Sequence, residues 1–383
     1  MRRRELIRCL ILLTLLLVTP DWSEASRTWS VFLDGSGDAP TIQAAIDSAQ
    51  SGDVVLVGPG SYEEGWTEIH SKSLTLRSAS GAKVTSIQHL SIFERPPGAI
   101  QSVEVSGFSF VPGLDEAAFY VLNVQSFGML DCVIRGYRDN SEINKVHDIA
   151  ITRCDFIENQ DSHSDMSFAG TLYIEIPADS HGSILRRCKF IGNSSVNGIP
   201  AVGYGGGAVR VVTADRSDFR ITECLFLDNS ARSGGAASLE NDYITFDHNA
   251  VIANEAEDGA VFRSGRHGEV YGNAFVGNKT NGLHDEAWDR CLCNAYWNNE
   301  GWGPYHGQWV GTCSGGENLY VDPLFCDPEA DDYRLRENSP LIPKFFPPEV
   351  FDCQGVMGAL RVGCEPQATL TVTWGRLKSL YKP

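Results

Sequence analysis

Cys154-Asp-Phe-Ile-Glu-Asn159, Cys188-Lys-Phe-Ile-Gly-Asn193 and Cys224-Leu-Phe-Leu-Asp-Asn229 are copies of one pattern: a small residue, a spacer, two large apolar residues, a spacer, then Asn. The frame continues with Asn in the first slot, as Asn249-Ala-Val-Ile-Ala-Asn254 and Asn273-Ala-Phe-Val-Gly-Asn278, and weaker copies begin at Phe108, Cys132 and Cys293. Successive copies start 24, 22, 34, 36, 25, 24 and 20 residues apart. A period in the low twenties with occasional insertions marks a solenoid, in which each repeat stacks on the one before it.

The residues around the first slot define the cross-section. Three positions before it stand Val105, Met129, Ile151, Leu185, Ile221, Phe246 and Val270, and two after it stand Phe110, Ile134, Phe156, Phe190, Phe226, Val251 and Phe275. Strict alternation would put the first of these sets and the slot itself on opposite faces, so a bend must lie between them. A third segment follows the Asn, as in Gly207-Ala-Val-Arg-Val, Gly235-Ala-Ala-Ser-Leu and Gly259-Ala-Val-Phe. Three short strands per turn, each pairing with the coil below at ~4.8 Å, make a parallel β-helix. Asn159, Asn193, Asn229, Asn254, Asn278 and Asn298 then stack at one bend, where a side-chain amide satisfies free backbone groups and tolerates left-handed backbone. The sequons at Asn193 and Asn278 fall on that ladder, which explains both without glycosylation. Insertions after Asn159 and Asn193, and one over 213–218, should protrude and wall a groove.

At the start of the chain, Arg2, Arg3, Arg4 and Arg8 precede the apolar run Leu10 to Val18 and a cleavage-like Ser23-Glu-Ala25, the form of a signal peptide. No other stretch approaches the ~20 apolar residues of a membrane span. Processing would move the net charge from −18 to about −19, since it removes four Arg and three acids. Such a surface argues against nucleic acid and anionic membranes as partners. Of the cysteines, Cys132, Cys154, Cys188 and Cys224 share the first slot and read as small inward residues, whereas Cys291, Cys293, Cys313, Cys326, Cys353 and Cys364 crowd the C-terminal quarter, where an exported chain forms disulfides. Thr41 caps a short helix with Ile42, Ala45, Ile46 and Ala49 on one face, and Val54-Val-Leu-Val57 follows as a buried strand.

Asp34-Gly-Ser-Gly-Asp38, Thr41-Ile-Gln-Ala-Ala-Ile-Asp47 and Val57-Gly-Pro-Gly-Ser-Tyr62-Glu-Glu resemble the opening of pectin-lyase-fold proteins, which include pectin methylesterases and many bacterial right-handed β-helix proteins. Asn318-Leu-Tyr-Val-Asp322-Pro-Leu-Phe-Cys326-Asp-Pro, Ser339-Pro-Leu-Ile and Gly355-Val-Met-Gly-Ala are similar to the C-terminal boundary of secreted members. The resemblance covers nearly all of 31–364 and implies fold and export; because the fold hosts lyases, hydrolases, esterases and inert scaffolds, it does not select an activity. The methylesterase and polygalacturonase signatures are missing, and Thr245-Phe-Asp247-His248-Asn249 is similar to a pectate-lyase string but lacks its Trp.

Outward positions beside the second strand form a strip of both signs: Arg153, Asp155 and Glu158, then Arg187 and Lys189, then Glu223 and Asp228, then His248. β-Elimination from a uronic acid needs a base at C5 and a positive group on the carboxylate, which Arg187 or Lys189 would supply. Hydrolysis needs two carboxylates, and Asp155 and Glu223 stand two coils apart, roughly 10 Å by rung spacing. Arg153, Glu158 and Asp228 then serve as substrate contacts; the plainer reading of the strip is a solvated face. Asp161-Ser-His163-Ser-Asp165 alternates its polar groups as a Ca²⁺ loop would, but it lacks the Gly turn and closing Glu, so a polar loop is preferred and no metal ligand is assigned. Trp288, Trp297, Trp302, Tyr305 and Trp309 suit sugar stacking or, more plainly, packing within a small domain.

The expectation is thus an all-β, exported, monomeric right-handed parallel β-helix of about eight to ten coils. Residues 1–25 form the signal peptide, 26–300 the β-helix with its helical N-terminal cap, 301–364 a disulfide-bearing cap and 365–383 a tail with an amphipathic Trp374–Tyr381 end. The expected partner is an extracellular polysaccharide, with uronate-polymer lyase as the enzymatic form and a non-catalytic scaffold or adhesin as the alternative.

Overall fold

The computed structural model describes residues 26–94, 100–113, 117–162, 170–195, 205–232, 234–240, 243–256, 262–263, 268–279, 290–299, 318–330, 332–346 and 353–364. Residues 1–25 (the expected signal peptide), Gly259 to Val261, His163 and Asp165, Trp288, Trp302, Tyr305, Trp309, Cys313 and residues 365–383 lie outside them.

Short apolar runs punctuated every few residues by Gly, Asn or a charged bend residue wind into a parallel β-solenoid of about nine turns. A first ladder passes through Val54–Val57, Leu74–Ser78, Ser102–Ser106, Ser126–Leu130, Asp148–Thr152, Ser183–Arg186, Phe219–Thr222, Ile244–Asp247, Gly268–Tyr271 and Arg290–Leu292. A second ladder of two- and three-residue strands includes Val133–Arg135, Asp155–Ile157, Lys189–Ile191, Leu225–Leu227, Ala250–Ile252, Ala274–Val276 and Ala295–Trp297. A third follows Phe119–Leu122, Ser141–Asn144, Leu172–Ile176, Val209–Thr213 and Ala237–Glu240. The second and third ladders are continuous at Thr85–Phe93 and part in later coils, where a two-residue ladder, from Gln160–Asp161 to Glu255–Ala256, intervenes.

Two columns of left-handed residues make the bends. Asp131, Arg153, Arg187, Glu223 and His248, with φ of 52–55°, separate the first ladder from the second. Gly136, Glu158, Gly192, Asp228, Ala253 and Gly277 end the second ladder in the same conformation. Left-handed backbone costs a non-glycine residue ~1–2 kcal/mol, whereas Gly adds ~0.5–1 kcal/mol of chain entropy. Ala253 is exposed and has φ 53°, so Ala253→Gly should stabilise the protein by up to ~1 kcal/mol, seen as a raised urea midpoint.

Both inward slots carry ladders. Asn159, Asn193, Asn229, Asn254 and Asn278 are at most 2% exposed, and each amide donates to the next residue's Oδ1 at 2.8–3.1 Å. Each Oδ1 from Asn193 to Asn278 also accepts the backbone N–H of the Asn one coil below. The first slot holds Cys132, Cys154, Cys188 and Cys224 as free, buried thiols, then Asn249, Asn273 and Asn294. Behind the second ladder, Phe156, Phe190 and Phe226 stack at centroid spacings of 4.9 Å.

The last copy of the repeat differs by one residue from the sequence expectation. Asn299, not Asn298, accepts from Asn278, and Asn294, not Cys293, fills the first slot. The aromatic column sets this register: Tyr296 stacks on Phe275 at 5.5 Å, and a one-residue slip would turn it outward.

The N-terminal helix is Ile42–Ser48, with Thr41 Oγ1 accepting from Ala44 N at 3.0 Å. Glu64 accepts the Ile42 and Gln43 N–H groups, and Lys72 Nζ donates to three carbonyls at the other end. So short a helix persists because both ends are held by side chains and its apolar face joins the core.

The described residues of 319–364 pack along the flank of the last coils. Leu319, Phe325, Leu335, Leu341 and Met357 form one apolar cluster with the outward-facing Leu227, Ile252, Val276, Ala250, Ala274 and Ala295. Disulfides Cys293–Cys353 and Cys326–Cys364 fasten the segment, and Gly358 N donates to Gly272 O at 2.7 Å. None of the described helices is long and apolar enough to cross a membrane.

Candidate functional site

The charged strip forms on the second ladder and its two bends, and nearly every member meets a partner of opposite sign one coil away. Arg153 binds Asp131 through two bonds of 2.7 and 2.8 Å. Arg187 and Arg186 converge on Glu223, Lys189 lies 3.4 Å from Asp155, and Glu158 pairs with Arg135. Asp228 occupies the second bend with φ 54°. These exposed pairs run along the stack, where opposite charges spaced by one rung suit the ladder and solvent screens their attraction. Two carboxyls are pushed in opposite directions. Burial lifts Asp155 above its ordinary value although Lys189 pulls it back, while Arg187 and Arg186 outweigh the desolvation of Glu223 and lower it.

His248 has a different setting. Its Nδ1 donates to Asp247 at 2.9 Å and its Nε2 donates to the Gln354 carbonyl at 3.1 Å, while Gln354 N donates to the Tyr271 hydroxyl at 2.7 Å. The ring thus clasps the C-terminal flank to the solenoid. Asp247 also takes two bonds from Arg220, which with His248 and Thr222 outweigh desolvation and hold its pKa at about 2. The Asp247 hydrogen bond raises the His248 pKa above 6.5 against the opposing desolvation. A pKa raised on folding adds stability that is complete below the unfolded value and is lost as pH rises through the folded one. His248→Asn, which keeps a residue tolerant of φ 52°, should therefore lower the melting temperature at about pH 5.5 and have little effect at about pH 9. An equal loss at both would refute the charged clasp.

The third ladder presents groups that the repeat pattern did not single out. Its outward columns, read across coils, are Ser91, Tyr120, Glu142, Tyr173, Arg210 and Ser238, and beside them Phe93, Leu122, Asn144, Glu175, Val212 and Glu240. Arg210 grips Glu240 through two bonds of 2.8 and 3.0 Å, and its guanidinium lies 5.6 Å from the Tyr173 ring centroid. Tyr173 donates to Glu175 at 3.2 Å. Burial is the main reason that the Tyr173 phenol is held well above its ordinary pKa, with Glu175 adding to it, so it stays protonated.

Although these side chains point away from the core, Tyr173 is only 4% and Arg210 6% exposed. The described residues at the edges of the two insertions account for part of the cover. Asp161 is buried between them, accepting from Gly170 N and from the Ser195 hydroxyl, both at 2.9 Å. Thr171 donates to Ala208 O at 2.6 Å. A Cβ on Gly170 would stand 3.1 Å from Arg210 Cβ, so the returning chain presses directly on that arginine. The remaining signal in the sequence was Tyr173-x-Glu175 and Arg210 on segments flanking the insertions.

No protein-family model matches the sequence, and no curated protein matches it. Among solved structures, the chain is similar to ORF18 of Geobacillus virus E2, with 16% identity, a TM-score of 0.51 and coverage of 74% of this chain and 58% of that one. It is also similar to the alginate lyase AlyGC of family PL6, at 14% identity and TM-score 0.39, over 72% of this chain and 39% of that one. A third is a mannuronic acid specific polysaccharide family 6 lyase from human gut microbiota, at 14% identity and TM-score 0.39, covering 74% and 77%. The chain thus spans less than two thirds of the first two proteins. These likenesses are of fold, the parallel β-solenoid, and the structural neighbours include polysaccharide lyases.

Proposed function

We propose that this chain is an exported, monomeric protein that binds an extended extracellular polysaccharide along the outer face of the third ladder, parallel to the solenoid axis. The observation that supports the reading is the column Tyr120, Glu142, Tyr173, Arg210, in which successive coils alternate a flat ring with a charged planar group. Aromatic faces match the C–H faces of pyranose rings, and carboxylates and guanidinium groups exchange hydrogen bonds with their hydroxyls. Tyr120 and Glu142 stand one rung apart, ~5 Å, close to the length of one sugar unit. Tyr120 and Glu142 are half-buried and form the accessible part of the column, while Tyr173 and Arg210, 4% and 6% exposed, support it from beneath.

Uronate-polymer lyase is the catalytic form of this proposal. Elimination requires a proton donor for the departing oxygen and a positive group for the carboxylate; Tyr120 is the accessible phenol on this face, whereas Tyr173 and Arg210 are buried behind it. Arg210 already holds Glu240, which makes binding the primary role and elimination the secondary one.

A second reading places the chemistry on the charged strip, with Asp155 as acid, Glu223 as base, Arg187 or Lys189 beside the reacting carbon, and Arg153, Glu158 and Asp228 as substrate contacts. The opposite displacement of the Asp155 and Glu223 carboxyls favours it. Binding of a panel of neutral and uronate polysaccharides, with ultraviolet absorbance followed for unsaturated ends with and without Ca²⁺, tests both. Tyr120→Ala should weaken polymer binding about fivefold, the value of one aromatic contact near 1 kcal/mol. Unchanged binding in Tyr120→Ala, with loss in Asp155→Asn, would move the site to the strip.

A further inference from the structure

The third bend, where the chain leaves the third ladder for the first, carries a site of its own. At the same place in their coils Ser71, Asn123 and Lys145 adopt φ of 53°, 59° and 56°. Ser and Asn ease this conformation with short polar side chains, but lysine has no such means and bears the ~1–2 kcal/mol of left-handed strain. A strained residue of the wrong type for its bend points to a role for its side chain.

Lys145 lines a cleft of about 450 Å³ together with Asn123, Gln125, His147, Glu175 and Pro177. Its backbone N–H donates to Glu175 O at 3.0 Å, yet among the described residues no ion pair or hydrogen bond engages its ammonium. That is unlike Arg153, Arg187, Arg210 and Arg220, each of which is neutralised by a carboxylate. His147 is fixed by the Ser180 hydroxyl at 3.0 Å from Nδ1; with Ser180 donating, the ring carries its hydrogen on Nε2 and has a donor to offer. Asn123 and Gln125 add amides, Pro177 and Ala214 supply apolar surface, and Glu175, which accepts from Tyr173, also lines the cleft.

We infer that this cleft binds one pyranose unit carrying a single negative group, a carboxylate or a sulfate ester, with the charge at Lys145 and His147 and the hydroxyls toward Glu175. The apolar surface suits the ring, the amides suit its hydroxyls, and an unpaired ammonium on an acidic chain selects an anion over a neutral sugar. The inference deepens the polysaccharide-binding reading, on which the choice of a sugar rests, and adds a charge requirement at the edge of the proposed face.

Calorimetric or NMR titration of the full chain with glucose, glucuronate and glucose 6-sulfate tests it. At least one charged sugar should bind about tenfold more tightly than glucose, as a charge-assisted hydrogen bond predicts, and which one does so names the anion. Lys145→Asn should abolish that preference without lowering the melting temperature, because Asn123 already occupies the equivalent bend. Lys145→Arg should retain it. A charged sugar that binds no better than glucose, or a preference that survives in Lys145→Asn, overturns the inference. Tyr120→Ala keeps the two readings apart: it should weaken an acidic hexasaccharide while leaving the monosaccharide preference intact. Loss of the preference in Lys145→Asn with polymer binding indifferent to Tyr120→Ala would remove the third-ladder reading and leave this site standing.

Discussion

Asn229→Asp is expected to be the most damaging single isosteric substitution in the solenoid. The Asn229 amide donates to Phe190 O and Asn254 Oδ1, at 2.9 and 2.8 Å, while its Oδ1 accepts both the backbone and side-chain N–H of Asn193. A carboxylate preserves the shape and the acceptor but faces two oxygens with no hydrogen to give, in a site only 1% exposed. Buried charge without a partner costs several kcal/mol even after relaxation. Asn229→Ala leaves the Asn193 N–H unsatisfied and opens a small cavity, for a loss of roughly 3 kcal/mol. Urea denaturation should rank wild type above Asn229→Ala above Asn229→Asp, and the Asp variant should recover partially as pH falls from the raised pKa of its buried carboxyl towards the ordinary value of about 4. Equal stability of all three would refute the ladder as a source of cohesion. Because repeats couple chiefly to their neighbours, hydrogen exchange should rise first in the coils containing Asn193 and Asn254.

Phe190→Ala is the second large loss. Phe190 is sandwiched between Phe156 and Phe226, with interplanar angles of 10° and 5°, and is fully buried. Removing a buried ring of this kind costs ~3–5 kcal/mol, the upper part of the range applying where the surroundings cannot collapse. Here they cannot collapse, because the backbone rungs above and below are held by Lys189 N to Cys154 O and Leu225 N to Cys188 O, both at 2.9 Å. Phe190→Leu should restore about half of the loss, since it refills volume without the stacked geometry. A melting temperature for Phe190→Ala within a degree or two of wild type would show that the column contributes nothing beyond shape.

The inward half of this architecture is legible in the sequence because it repeats. Asn193, Asn229, Asn254 and Asn278 recur at one offset, and a residue type kept in a buried slot on successive coils has a common physical cause, the unpaired backbone at the bend. The cysteines of the first slot are readable for the same reason, and they are free and buried. Register at the last coil was misread by one residue, because Cys293 looks like the first-slot cysteines while Tyr296, continuing the aromatic column, decides the matter.

The outward half is much less legible. Arg210 and Tyr173 face each other because Leu172–Ile176 and Val209–Thr213 pair in register, although the stretches leading to them from Asp161 and Ser195 differ in length. No fixed offset from the repeat reaches them. The packing of 319–364 on the flank had a readable sign: Leu227, Ile252 and Val276 are large apolar residues at an outward position, and a solenoid leaves such a column bare only where something covers it. His248 stood out as a titratable residue in the strip, but its role as a clasp depends on Gln354, 106 residues away.

Binding of an acidic polysaccharide to matched variants of the two faces tests the functional account most directly. Tyr120→Ala and Glu142→Gln alter the third ladder, and Lys189→Gln and Asp155→Asn alter the strip, with melting temperatures confirming that each is folded. The account predicts weaker binding for both third-ladder variants, about fivefold for Tyr120→Ala, and wild-type affinity for both strip variants. Wild-type affinity on the third ladder, with loss on the strip, would contradict it.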